Sequence, residues 1–133
     1  MDDSMLIEIL KEMQNKYQCM VEIERITQEI GQALSRNDRT IVQMLLGMRQ
    51  EEMDKADIHE RNMNCLVSAL SPADAEQVRD WLSGNDDHKP DSPLADRLVD
   101  RGNSFHLAQK RVIEMDRHIS TRLAGKDSYY SHL

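Results

Sequence analysis

Aromatic side chains are scarce in this sequence. Phe105, Trp81 and three tyrosines make up 4% of the 133 residues, so a core built on large rings is excluded and aliphatic side chains must supply the packing. Cysteine is nearly absent too. Cys19 and Cys65 stand in no CxxC or CxxH spacing, which argues against a disulfide framework or a zinc site and reads as two reduced thiols. Five scattered glycines do not make a phosphate cradle. No apolar run approaches the roughly 18 residues of a membrane span, and the acidic opening "MDDSM" lacks the basic-then-apolar order of a signal peptide. Base is not in excess either. The 24 acids outnumber the 17 bases for a net charge of −7, a poor basis for nucleic-acid binding through counterion release. These absences predict a soluble, cytoplasmic protein.

What is present is helical periodicity. Hydrophobic residues are 39% and charged residues 31%, a balance that suits elongated helices with much surface for little core. Leu6, Met13, Met20, Thr27 and Leu34 recur every seven residues, and Ile9, Ile23 and Ile30 fill the second register. Spacings of three and four place them on one face of a helix over about 4–35. Asp38 is positioned to cap a second helix over 39–70, which opens with the apolar run Ile41 to Met48. Its middle keeps only Met53, Ala56 and Ile58 as a thin stripe, and its end recovers with Met63, Cys65, Leu66, Val67 and Leu70. The short turn between the two favours an antiparallel hairpin.

"SPADAEQVRDWL" carries a capping serine, Ser71, a proline at the first helical position and Asp74 three residues after the cap. It predicts a short helix over 72–83. The prolines and small polar residues of 84–92 read as a flexible loop. Ser92 and Pro93 then repeat the same start for a last helix over 93–124, where Leu98, Phe105, Val112 and Ile119 form an unbroken heptad stripe. Gly125 ends it, and 125–133 form a tail containing Tyr129 and Tyr130. The prediction is one all-α domain: an elongated antiparallel helical hairpin or bundle of three long helices and one short one.

Chemistry finds little to work with here. There is no Glu-x-x-His pair, and Glu114 and His118, four residues apart, read as a surface pair. His59, His88, His106 and His132 show no zinc-binding spacing. No GxSxG is present. Glu51 and Glu52, like Asp86 and Asp87, are sequence neighbours, which point to different helical faces and make poor acid–base pairs. No catalytic residue, cofactor or metal ligand is predicted, and the chain reads as a non-enzyme. Surface remains. Met44, Met48, Met53 and Met63 offer adaptable contact or core filling, and the Phe105 stripe either packs inside the bundle or accepts a partner helix.

The segment "IERITQEIGQALSRNDRTIVQMLLGMRQEEMDK" resembles the hairpin region of the FlgN-type flagellar export chaperones, and more loosely the FliT type. The matching positions are Thr27, Ile30, Leu34, Asp38, Ile41, Leu45, Leu46 and Arg49. The resemblance implies a cytoplasmic chaperone of type III secretion without a cofactor. It would bind the C-terminal amphipathic helix of a hook-associated or filament-cap protein, prevent premature assembly and deliver it to the export gate. It also implies client contact by the last helix, at Leu98, Phe105, Val112 and Ile119, and gate docking by tyrosines, for which Tyr129 and Tyr130 are the candidates. The alternative is a helical scaffold or homo-oligomeric interaction module with no secretion client, and a homodimer is compatible with either.

Overall fold

The computed structural model describes residues 1–84 and 92–123. Helices α1 (Asp3–Ser35), α2 (Arg39–Ser68), α3 (Pro72–Leu82) and α4 (Pro93–Leu123) follow in order, with no strand among the described residues. The all-α class stands, and the helix boundaries fall within two residues of those expected. Apart from Gly84 and Ser92, the loop and tail predicted over 84–92 and 125–133, with Tyr129 and Tyr130, lie outside the described residues. No described helix is long and apolar enough to cross a membrane.

The caps explain where the helices start. Asp38 accepts from the Ile41 amide at 3.2 Å, Ser71 from Asp74 at 3.3 Å and Ser92 from Ala95 at 3.1 Å, each satisfying an amide that the first helical turn leaves without a partner. The turn from α1 to α2 is short, as expected, and Asn37 makes it. Asn37 adopts a φ of 57°, its amide bonds to Leu34 and the Asp38 amide bonds to Ala33. That pattern is a Schellman ending with asparagine in the left-handed position, so Asn37 closes α1 and Asp38 immediately opens α2.

α1 is the spine. α2 packs against one flank and α4 against another, while the backbones of α2 and α4 stay more than 8 Å apart. α2 runs antiparallel to α1, as the pairing of Glu12 with His59 and of Thr27 with Arg49 requires. α4 runs parallel to α1, with Lys16 beside Phe105, Glu24 beside Arg111 and Gly31 beside Ile119. The hairpin therefore has a closed end, at the α1–α2 turn, and an open end. α3 sits at the open end and packs on both α2 and α4. Gly102 makes its contact with α4 possible: a Cβ there would stand 2.8 Å from the Leu82 carbonyl carbon.

The core divides in two. At the open end Leu6, Ile9, Met13, Met63, Val78 and Leu98 anchor a cluster of all four helices. At the closed end Ile26, Ile30, Ala33, Val42, Leu45 and Ile119 form a smaller one. A fully buried Ile or Leu contributes about 1.5–3 kcal/mol by leaving water, which makes α1, the richest in them, the main source of burial.

Helix α2 departs from expectation. Only one side of its opening apolar run is buried. Val42 and Leu45 are buried, but Met44 and Met48 are exposed. In its middle only Ala56 is buried, whereas Met53 and Ile58 face outward. Ile58 lies two residues beyond Ala56, about 200° round the helix, so the two cannot share a face. Cys65, expected with the apolar stripe, is exposed for the same reason, while Cys19 is buried. Burial pushes the Cys19 thiol above its ordinary pKa, and the nearby Glu52 carboxylate adds to the effect.

Candidate partner-binding site

The stripe proposed for client contact lies inside the chain. Leu98 is fully buried, and Phe105, Val112 and Ile119 retain only 5–6% of their exposure. The Phe105 ring packs in the open-end cluster, with the Lys16 ammonium 4.1 Å from its centre, a favourable cation–π contact. In this state the stripe is core and offers no free surface. Tyr129 and Tyr130 fall outside the described residues.

An open groove of about 780 Å³ runs beside the upper part of that stripe, between α1 and α4 toward the closed end. Its floor is Thr27, Gly31, Met115 and Ile119, and its rim is Gln28, Gln32, Glu114 and His118. Gly31 makes room: a Cβ there would sit 3.5 Å from Ile119 Cδ1, in ordinary contact, while anything longer would enter the groove. Gln28 and Gln32 lie on the flank of α1 turned away from Ile26, Ile30 and Ala33, which pack with α2. Thr27 sits on the core stripe and Glu114 and His118 share a surface face, as their spacing predicts, but no local signal joins them into one groove, because the join depends on how α4 slides along α1.

Below the groove floor three helices meet in a polar knot. Thr27 is fully buried. Its hydroxyl donates to the Ile23 carbonyl at 2.7 Å and accepts from Arg49 at 3.2 Å. The Arg49 guanidinium bonds both oxygens of Asp116 at 2.7 Å, the bidentate geometry in which arginine pairs best with carboxylate. Both side chains are mostly sheltered, at 17% and 29% exposure. Thr27 and Arg49 belong to the hairpin motif read from the sequence, and here they touch. The Arg111–Glu24 pair ties α4 to α1 nearer the middle of the molecule.

Among the described residues no three His, Cys, Asp or Glu side chains are placed to hold one metal ion. The charged side chains instead pair along and between the helices, as Glu12 does with His59 at 2.8 Å and Arg25 with both Glu22 and Glu29.

Comparison with family models, with curated proteins and with solved structures yields no match to this chain.

Proposed function

We infer that this protein is a non-enzymatic, cytoplasmic export chaperone of FlgN type. In this reading it holds the C-terminal amphipathic helix of a hook-associated or filament-cap protein, keeps that client from assembling early and passes it to the export gate. The groove between α1 and α4 carries the reading. An amphipathic helix needs an apolar floor for residues spaced three and four apart and a polar rim for its flanks. Gly31, Met115 and Ile119 supply the first, and Gln28, Gln32, Glu114 and His118 the second. Met115 adds a flexible thioether that adapts to different side chains. The contact between Thr27 and Arg49 supports the reading further, since it joins two positions of the motif that prompted it.

The test is a calorimetric titration of the full chain with peptides from the C-terminal helices of hook-junction and filament-cap proteins. Binding is expected for at least one of them. Gly31→Leu should fill the groove and weaken that binding at least about tenfold while leaving the helical circular dichroism unchanged. Undiminished affinity would move the site elsewhere, and no binding to any such peptide would remove the reading. A helical scaffold without a secretion client is the second reading, and the exposed apolar residues of α2 are the observation in its favour.

A further inference from the structure

Helix α2 carries two heptad series, one residue out of step. The inner series includes Val42, Leu45, Ala56 and Met63, all buried against the rest of the fold. The outer series runs from Ile41 to Cys65 in the same alternating steps of three and four, rotated by about 100°. Met44, Met48 and Ile58 on it are 54%, 36% and 48% exposed, Glu51, Lys55, Asn62 and Cys65 are exposed and Ile41 is half-buried. A Cβ added at Gly47, beside it, would meet no neighbouring element within 4 Å. Among the described residues nothing covers this face.

We propose that the outer face of α2 is a self-association surface, on which α2 of a second copy lies antiparallel about a twofold axis level with Met53. The order of residues along the seam selects this arrangement. Antiparallel pairing places Glu51 of each copy opposite Lys55 of the other, giving two ion pairs at the centre. It places Met48 opposite Ile58 on either side, then Met44 opposite Asn62, then Ile41 opposite Cys65. These are the layers an antiparallel two-helix seam forms when heptad positions pair across it. A parallel seam would stack Glu51 on Glu51 and Lys55 on Lys55, and like charges facing each other oppose association. In the isolated chain Lys55 bonds Glu52 of its own helix at 3.2 Å, and its exposed ammonium has to turn by one helical position to reach the other copy. Asp54 flanks the axis in both copies, and the repulsion between the two carboxylates limits the strength of the association. The surface is separate from the client groove, and either can fail without the other.

Sedimentation of the full chain over a wide concentration range should show a monomer–dimer equilibrium. Glu51→Lys should weaken it at least roughly tenfold through like-charge repulsion, and adding Lys55→Glu should restore it. Both sites are exposed, and circular dichroism should be unchanged in each variant. The register is read by a thiol trap. Within one chain Ile41 and Cys65 lie about 36 Å apart along the same helix, too far for a disulfide. Under mild oxidation Ile41→Cys should give a reducible covalent dimer joined through Cys65, whereas Ile41→Cys with Cys65→Ser should not. A chain that stays monomeric at its highest attainable concentration overturns the proposal. So does a double charge exchange that fails to restore the dimer, or a wild-type dimer linked Cys65 to Cys65, which would mean parallel helices.

Discussion

Arg49 is where three helices are tied together. Its guanidinium spans from the Thr27 hydroxyl on α1 to the Asp116 carboxylate on α4, although α2 and α4 never approach as backbones. A sheltered, bidentate pair loses more when broken than an exposed one does, because the remaining charge keeps part of its desolvation penalty. Asp116→Ala is therefore expected to cost about 1–3 kcal/mol in urea unfolding. Glu24→Ala, which breaks the pair with largely exposed Arg111, should cost clearly less. Equal losses would show that the knot is an ordinary surface pair. Thr27 and Arg49 could be singled out from the sequence because both stand in a recognisable hairpin pattern. Asp116 could not: it lies 67 residues from Arg49 in a charged stretch, and nothing local marks it as a partner.

Helix boundaries were legible because caps act locally. Asp38, Ser71 and Ser92 each bond the amide three residues on, close enough in sequence to be read there. Faces were less legible. Periodicity tells which residues share a side of a helix, but only the assembled fold tells which side finds a neighbour. Thus heptad spacing unites Leu98, Phe105, Val112 and Ile119 into one stripe, but core and client surface fit that stripe equally until the helices are assembled. On α2 the apolar run hid two series that differ in burial. Gly102 is the sharpest case at the scale of an element. By helix propensity alone Gly102→Ala would stabilise α4 by about 1 kcal/mol. The Leu82 backbone lies where the new methyl would go, so a net loss of about 1–3 kcal/mol is expected instead, read as a lower thermal midpoint. A gain would mean that α3 moves away freely.

Across the whole molecule, support for α4 is uneven. Its first half rests on α1 and α3 within the open-end cluster. Its second half keeps only Ala108 and Val112, with Met115 at the edge, in that cluster, and otherwise rests on Ile119 in the small closed-end cluster and on two ion pairs. Local opening follows such differences in packing. Amides over Val112–Asp116 are expected to exchange about tenfold faster than those over Leu98–Phe105, by hydrogen-exchange mass spectrometry. Bound client helix should slow the faster set more. Uniform exchange along α4 would argue that its second half is no looser than its first.

The parallel course of α1 and α4 has a mechanical consequence. Asp3 and Leu123 lie at opposite ends of the molecule, separated by roughly the length of a 30-residue helix, about 45 Å. Tension applied between them does not peel one helix from another. It drags α1 and α4 past each other in shear, so Glu24–Arg111, the Arg49 knot and the interlocked side chains of the seam all bear load at once. A chain drawn out by its two ends should thus yield at a higher force than its modest core implies, and one drawn out through the closed hairpin turn at a lower one.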